Sequence, residues 1–253
     1  MDLMLKDKRA VVLGASRGIG RATAERLAAE GVSVAVCARN AEGLSAFADE
    51  LRSSGVKVYD KAVDVAQSGA VRQFVDESAE ELGGLDLLVS NVSAGSIKGP
   101  DQWDISLRTD LLPLVEGVEA ATPHMEAAGG GSIVSVASTF GFDSAWPASP
   151  NSYAVFKAAV LRYASGAAQT LAPKGIRVNS VSPGPIEFEG GDWGRWKTDR
   201  PEVYQRMLST APLGRYGRLD EVASVIVFLL SPRAGYCVDA HVVCDGGITK
   251  GAF

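Results

Sequence analysis

A tyrosine and a lysine stand four residues apart in the stretch PNSYAVFKAAV, at Tyr153 and Lys157. On a helix this spacing puts both side chains on one face, one turn apart. A neighbouring ammonium lowers the pKa of a phenol, and such a phenol can exchange a proton with a substrate. The alternative is structural: Tyr153 packs in the core and Lys157 lays its aliphatic stem along the surface. The pair alone does not decide between these interpretations.

Three glycines, Gly14, Gly18 and Gly20, lie between an apolar run and a helical run in VVLGASRGIGRATAERLAAEG. Glycines in such a turn let the backbone approach a pyrophosphate, while the helix N-terminus offers N–H groups and a positive dipole end. The spacing predicts a dinucleotide-binding loop. The stretch Gly14–Gly18 also matches the G-x-S-x-G elbow of serine hydrolases, but only 13 residues precede it. An elbow needs several strands upstream, so the hydrolase interpretation fails.

The end of the second apolar run indicates which dinucleotide binds. An NAD site normally presents a carboxylate about 20 residues after the glycines, to bind the ribose 2′-hydroxyl. Here the sequence reads Val-Cys-Ala-Arg-Asn over 36–40, without an acid. Arg39, with Arg17 from the glycine loop, would instead pair with a 2′-phosphate. NADP(H) is therefore favoured over NAD(H), the alternative being that Arg39 is a solvated loop charge.

Short apolar runs alternate with longer runs of helical period along the whole chain. Seven strand candidates alternate with six helices, predicted at 18–30, 42–53, 69–82, about 103–127, 153–172 and 220–230. Strands that are apolar on both faces and separated by helices indicate parallel βαβ units. The predicted fold is α/β: one doubly wound, Rossmann-type domain over residues 1–253, with a seven-stranded parallel sheet and helices on both faces.

The segment 183–213 interrupts this alternation. It has no strand pattern, several glycines and prolines, and two tryptophans, Trp193 and Trp196. Long irregular insertions in a compact domain are usually lids or binding loops, so this one is predicted to be a substrate lid. A plain surface excursion or an oligomer contact is the alternative.

Composition excludes several other classes. The net charge is −5 without a basic stripe, which argues against a nucleic-acid partner. No apolar run reaches 18 residues, so no membrane span is expected. The three cysteines form no C-x-x-C, and the two histidines are far apart, which predicts neither a disulfide framework nor a metal site. These features fit a protein of the reducing cytoplasm.

Taken in chain order, these residues resemble the short-chain dehydrogenase/reductase family over nearly the whole sequence. Gly14-x-x-x-Gly18-x-Gly20 is similar to its cofactor loop, and Tyr153-x-x-x-Lys157 to its catalytic pair. Asp64-Val65 resembles its adenine contact, Ser138 its catalytic serine, and Pro183-Gly184 its nicotinamide-side turn. The ending Asp245-Gly246-Gly247 resembles its final strand and turn.

The resemblance implies a mechanism and a set of site residues. Tyr153, in the first turn of a helix whose start at Pro150-Asn151-Ser152 offers a capping side chain, exchanges a proton with the carbonyl or hydroxyl oxygen while Ser138 hydrogen-bonds that oxygen. Lys157 supports the phenolate and holds the nicotinamide ribose. The predicted catalytic residues are Ser138, Tyr153, Lys157 and Asp110. The predicted cofactor-binding residues are Gly14, Ser16, Arg17, Gly18, Ile19, Gly20, Arg39, Asp64, Val65, Asn91, Tyr153, Lys157, Pro183, Gly184 and Ile186.

Two departures from the family's pattern concern the catalytic centre. The family's Asn-Asn-Ala-Gly run reads Ser90-Asn91-Val92-Ser93 here. Asp110, seven residues after Trp103, stands where the family usually has a fourth catalytic residue, an asparagine that helps to hold a water beside the lysine. Asp110 is predicted to keep that role or to alter the pH profile, the alternative being a helical aspartate paired with a nearby base.

Two further departures concern the pocket. Phe188 stands where a threonine commonly contacts the nicotinamide amide, and is predicted to line the pocket instead. Ser138 and Tyr153 are 15 residues apart, whereas the family more often shows about 13, which places two extra residues in the loop 142–147. With Trp146 and the lid tryptophans, Phe188 indicates a largely apolar substrate.

The sequence therefore predicts an NADP(H)-dependent oxidoreductase that interconverts a ketone, aldehyde or β-keto acyl group and a secondary alcohol. The partner is a small carbonyl or alcohol substrate, and the resemblance implies a homotetramer or a dimer. The alternative, motivated by Asp110 and Phe188, is a cofactor-binding regulator on the same fold with little or no turnover.

Overall fold

The apolar runs form one parallel sheet of seven strands in the computed structural model, which describes residues 1–144 and 151–250. The strand order is β3-β2-β1-β4-β5-β6-β7, so the order reverses between β1 and β4. A crevice for a ligand is expected at the carboxyl ends of the strands at such a switch point. The strands are β1 Arg9–Leu13, β2 Ser33–Ala38, β3 Val58–Ala62, β4 Leu87–Ser90, β5 Gly131–Val136, β6 Ile176–Pro183 and β7 His241–Cys244.

Helices cover both faces of the sheet, as predicted. Phe74, Leu114 and Val160 belong to the apolar cluster on one face, while Phe47 and Ile226 belong to the cluster on the other. None of the helices in the described part of the chain is long and apolar enough to cross a bilayer. The helices are α1 Gly18–Ala29, α2 Ala41–Arg52, α3 Ala70–Leu82, α4 Gln102–Ser106, α5 Leu112–Ala127, α6 Ser152–Leu171, α7 Asp192–Asp199, α8 Pro201–Thr210 and α9 Leu219–Leu230.

The predicted helix over 103–127 is not continuous. Residues Leu107–Leu111 form a π-helical turn between α4 and α5. Pro113 explains why the α-helical ladder opens here, because it has no N–H to donate to the carbonyl of Thr109, and its ring would clash with that carbonyl in a regular α-helix. The wider turn carries Asp110, whose side chain is fully buried.

The segment 183–213 is less irregular than the sequence predicts. It contains α7 and α8. Pro201 stands at the start of α8, where its missing N–H costs nothing, so a residue that signals a break in the sequence begins a helix here. Tyr204, Met207 and Tyr216 form a small apolar cluster that Trp193 joins.

Candidate active site

A cavity of about 820 Å³ opens at the carboxyl ends of the central strands. Of the residues predicted for catalysis or cofactor binding, all but Gly20 and Asp110 line this cavity. These residues are Gly14, Ser16, Arg17, Gly18, Ile19, Arg39, Asp64, Val65, Asn91, Ser138, Tyr153, Lys157, Pro183, Gly184 and Ile186. The structure thus brings together residues that lie up to 172 positions apart in the chain, from Gly14 to Ile186.

The glycine loop follows β1 and leads into α1 with its backbone in the left-handed region, at φ 79° for Gly14 and 60° for Gly18. A Cβ on Gly14 would lie 2.8 Å from Val92, so the loop can approach its neighbours only without a side chain. Arg17, at the N-cap of α1, makes no side-chain cap, which leaves the first N–H groups of the helix to a ligand. These features fit a dinucleotide pyrophosphate.

Gly20 supports this loop from behind. A Cβ there would overlap the Gly14 carbonyl oxygen and lie 2.5 Å from Nδ2 of Asn91. That amide donates a hydrogen bond of 3.0 Å to the same carbonyl oxygen. Gly20 therefore allows close packing behind the loop, and its predicted contact with the cofactor stays a prediction.

Two arginines lie at the end of the cavity formed by β2 and the glycine loop. Arg39 is exposed and forms no ion pair within the described residues. Arg17 is also exposed and donates a hydrogen bond of 3.3 Å to the Gly190 carbonyl of the lid segment. Guanidinium groups at this end suit a phosphate on the adenosine ribose.

Tyr153 lies in the first turn of α6. Asn151 caps this helix, because its side chain accepts a 2.8 Å hydrogen bond from the Ala154 N–H, as the sequence predicts. Ser138 follows β5, and its hydroxyl hydrogen-bonds the Tyr153 oxygen. The Phe140 ring meets the Tyr153 ring edge to face at 5.9 Å. The two hydroxyls thus point to one place in the cavity wall, where a carbonyl oxygen could contact both.

Lys157 stands one turn further along α6 and is almost fully buried. Its Nζ donates a hydrogen bond of 3.2 Å to the Val136 carbonyl and lies 3.4 Å from Oδ1 of Asp110. It is 5.7 Å from the centre of the Tyr153 ring. Burial lowers the pKa of Lys157, and the negative charge of Asp110 opposes that change. The ammonium is therefore compensated within the protein.

The prediction of an acidified tyrosine is wrong for this structure. Burial raises the pKa of Tyr153 to about 12, and the hydrogen bond from Ser138 only partly opposes this. The negative charges of Asp110 and Asp192 raise it further. The predicted effect of Lys157 required an ammonium without a neighbouring counter-charge, whereas Asp110 supplies one.

Asp110 is held from two sides that the sequence did not predict. The Ser93 hydroxyl donates a hydrogen bond of 2.6 Å to Oδ1, and the Ala94 N–H donates one of 3.2 Å to Oδ2. Sequence reasoning gave Ser93 no role. The available signal was that Ser93 and Asp110 both depart from the family's pattern, and two departures that compensate each other are expected to lie in contact.

Aromatic side chains line the substrate side of the cavity. The Phe188 ring packs on the glycine loop, since a Cβ on Gly18 would lie 3.0 Å from its Cζ. Trp193 and Trp196 of α7, with ring centres 4.9 Å apart, also line the cavity. Trp146, the other predicted pocket aromatic, lies outside the described residues.

Comparison with known proteins agrees with this geometry. The family model described as enoyl-(acyl carrier protein) reductase matches residues 14–249. Isoepoxydon dehydrogenase of Penicillium expansum is 34% identical over 251 residues, which cover 98% of this chain and 96% of that one. L-Sorbose reductase of Gluconobacter frateurii, solved with NADPH and L-sorbose, aligns with a TM-score of 0.90 at 32% identity over 100% of both chains. A 7α-hydroxysteroid dehydrogenase solved with NADH and 7-oxo glycochenodeoxycholic acid aligns with a TM-score of 0.88 at 28% identity, covering 97% of this chain and 96% of that one.

The fold and the cavity define a dinucleotide-binding oxidoreductase. The chain belongs to the short-chain dehydrogenase/reductase family, whose members act on alcohol and carbonyl substrates. Within the described residues no group of three histidine, cysteine or acidic side chains could hold a metal ion.

Proposed function

We propose that this enzyme uses NADP(H) to interconvert a small carbonyl compound and the corresponding secondary alcohol, with Tyr153 as general acid and base. The observation that carries the proposal is the placement of the Ser138–Tyr153 hydroxyl pair and the buried Lys157 in the same cavity as the glycine loop.

The residues of the chain can perform the proton transfer. The bound cofactor supplies or accepts the hydride. In the direction of reduction, the carbonyl oxygen gains the electron pair of the C=O bond as the hydride reaches carbon, and Tyr153 donates the proton that completes the alcohol. Ser138 donates a hydrogen bond to that oxygen as its charge develops. A tyrosine whose pKa is raised to about 12 is protonated at neutral pH, so the resting site holds the acid that reduction needs.

The preference for NADP(H) rests on Arg39 and Arg17. Both arginines line the cavity, and within the described residues the one side-chain hydrogen bond they make is that of Arg17 to the Gly190 carbonyl. The NADPH complex of L-sorbose reductase supports this preference. The NADH complex of the hydroxysteroid dehydrogenase shows that a neighbour on this fold also uses NAD(H).

The segment 183–213 acts as a substrate lid in this proposal. Glu187 joins the two helices of the segment to its first residues, because its carboxylate accepts hydrogen bonds of 2.6 Å from the Tyr204 hydroxyl of α8 and 2.8 Å from Lys197 of α7. Trp193 and Trp196 then turn toward the cavity. Their apolar surface favours a substrate whose groups beside the reacting carbon are largely uncharged.

We also propose a homotetramer, or a dimer, built on the face of α4, α5 and α6. Trp103, Leu112 and Val155, one on each of these helices, leave 38–47% of their surface exposed, and exposed large apolar side chains can mark an interface. Sedimentation should give a multiple of the 26.4 kDa chain mass. A species at the mass of one chain, at micromolar concentration, would contradict this assembly.

The variant Tyr153→Phe tests the catalytic assignment. It should retain NADPH binding but lose turnover by at least about 100-fold on a panel of ketones, aldehydes and secondary alcohols, because proton transfer typically contributes 10²–10⁴-fold. Tyr163→Phe, which removes a hydroxyl from the same helix, is the matched control and should keep full activity. Full activity in Tyr153→Phe would refute the proposal. A panel without turnover despite tight NADPH binding would favour the regulator.

A further inference from the structure

Ser93 and Asp110 stand in different segments, yet their side chains meet inside the wall of the cavity. Ser93 lies in the loop after β4, and Asp110 lies in the π-helical turn before α5. The Ser93 hydroxyl donates 2.6 Å to Oδ1 of Asp110 while accepting a 3.0 Å hydrogen bond from the Gly95 N–H. The Ser93 hydroxyl therefore accepts from its own loop, and its proton is left to donate to the carboxylate.

The same carboxylate oxygen faces the catalytic lysine. Oδ1 of Asp110 lies 3.4 Å from Nζ of Lys157, and 0% and 3% of the two side chains are exposed. A buried ammonium without a counter-charge would be strongly destabilised, and a buried carboxylate needs donors for its remaining lone pairs. Ser93, the Ala94 N–H and Lys157 together supply those donors. Each charge is thus compensated by the other inside the protein.

We propose that Ser93 and Asp110 act as a positioning pair that holds a fixed negative charge against the Lys157 ammonium and so keeps the neighbouring Tyr153 in its acid form. This proposal rests on the proposed function, because it assigns the pair a role in the proton transfer by Tyr153. Asp110 does not line the cavity and acts through Lys157 and Tyr153, so it is a positioning residue.

The charges around Tyr153 decide whether replacing Asp110 raises or lowers the pKa of Tyr153. Lys157 lies on the same helix as Tyr153, Asp110 on the π-helical turn, and Asp192 on α7 of the lid. Asp192 is paired with Arg195. Asp110 and Asp192 both raise the pKa of Tyr153. Replacing Asp110 by a neutral amide removes one of these two charges and leaves the Lys157 ammonium less compensated. Both changes lower the pKa of Tyr153.

The first test is the pH profile of carbonyl reduction with NADPH. Reduction needs protonated Tyr153, so the rate falls as the pH rises through the pKa of this group. In Asp110→Asn that fall should move to lower pH by about one unit. Ser93→Ala should shift the fall in rate in the same direction, but by less. In the double variant Ser93→Ala should add little to the shift caused by Asp110→Asn, because both substitutions disturb the same hydrogen-bonded pair. Ser78→Ala, which removes a buried hydroxyl of α3, is the matched control and should leave the profile unchanged.

The second test does not depend on turnover. Burial lowers the pKa of Lys157 in the folded protein, so the unfolded chain binds more protons below its ordinary value of about 10.5 and stability rises with pH in that range. Asp110 opposes this lowering, and Asp110→Asn should therefore lose most stability near pH 7. The loss should shrink as the pH rises through the lowered pKa of Lys157, because the ammonium that Asp110 compensates is lost there.

A second buried carboxylate provides the control for this measurement. Asp86 accepts a 2.7 Å hydrogen bond from Arg9 and lies 3.4 Å from Lys8, at the opposite end of the sheet. Its main partner is an arginine, which does not lose its proton, so the loss in Asp86→Asn should change little between pH 7 and pH 10. Urea unfolding at both pH values measures the two variants.

The outcomes separate this proposal from the proposed function. If Tyr153→Phe stays active, the proposed function fails whatever the Asp110 variants do. If Tyr153→Phe is inactive but Asp110→Asn and Ser93→Ala keep the parent's pH profile, the positioning pair is refuted. A stability loss in Asp110→Asn that is equal at pH 7 and pH 10, as in Asp86→Asn, would also refute it.

Discussion

Arg39→Ala should weaken NADPH binding while leaving NADH binding unchanged. Arg39 forms no ion pair within the described residues, so its removal breaks no contact in the protein alone, and any effect reports the ligand. A hydrogen bond to a charged group contributes about 1.5–3 kcal/mol, and the site is open to solvent, so about 2 kcal/mol is expected. At 1.4 kcal/mol per factor of ten, this corresponds to about a 30-fold rise in the Kd of NADPH.

Arg17→Ala should have a smaller effect on the same constant. Arg17 must give up its hydrogen bond to the Gly190 carbonyl before it can turn to a phosphate, and loss of this exposed, 3.3 Å bond costs about 1 kcal/mol. The net gain from the phosphate is then about 1 kcal/mol, or about 5-fold in Kd. The rise in the Kd of NADPH should therefore be larger for Arg39→Ala than for Arg17→Ala.

Thermal unfolding with each cofactor provides the assay. A ligand that binds only the folded state stabilises it by RT ln(1 + [L]/Kd), so a 30-fold weaker NADPH contributes about 2 kcal/mol less at saturating concentration. Arg26→Ala, which removes an exposed arginine from α1, controls for the change in net charge. If NADPH and NADH weaken equally in Arg39→Ala, or if neither changes, the argument for a 2′-phosphate site is refuted.

Two further predictions concern the glycine loop and the lid. Gly20→Ala should lower stability by several kcal/mol and abolish NADPH binding, because its Cβ would overlap the Gly14 carbonyl. The control is Gly166→Ala, on an exposed face of α6 with open space around its Cα. This control should stabilise the protein by up to about 1 kcal/mol. Urea unfolding compares the two, and equal effects would contradict the packing role of Gly20. Glu187→Gln should weaken the anchoring of the lid by Lys197 and raise KM more than it changes kcat, whereas Glu189→Gln should change neither. Steady-state kinetics would contradict the lid if KM stays constant in Glu187→Gln.

Most of the fold could be predicted from the sequence because its signals are local. The seven strands and the helices of both faces follow from apolar periodicity and from the alternation of short and long runs. The helix cap at Asn151 was equally readable, since an asparagine before a helical run is a start signal. The π-helical turn was not predicted, because Pro113 inside the predicted helix signals a disturbance of the helix but does not show whether the helix ends, kinks or widens there.

The site was predictable where residue type and spacing repeat a known pattern, and less so where contacts are long-range. The glycine loop, Ser138, Tyr153 and Lys157 line one cavity, and the roles predicted for them stay predictions. The direction of the Tyr153 pKa shift could not be obtained from the Tyr153–Lys157 spacing, because it depends on burial and on a carboxylate 43 residues upstream. The contact between Ser93 and Asp110 joins segments that only the folded chain brings together.

The π-helical turn at 107–111 constrains how this part of the chain can vary. Successive residues of an α-helix are rotated by about 100°, so one residue more or fewer in the turn would rotate α4 against α5 by that angle. Asp110 would then no longer lie within reach of Lys157. Ser106 donates a 2.9 Å hydrogen bond to Ser152 at the start of α6, and this bond would also be lost. The number of residues in this turn is therefore fixed more strictly than their identity, and homologous chains should exchange side chains here without gaining or losing a position.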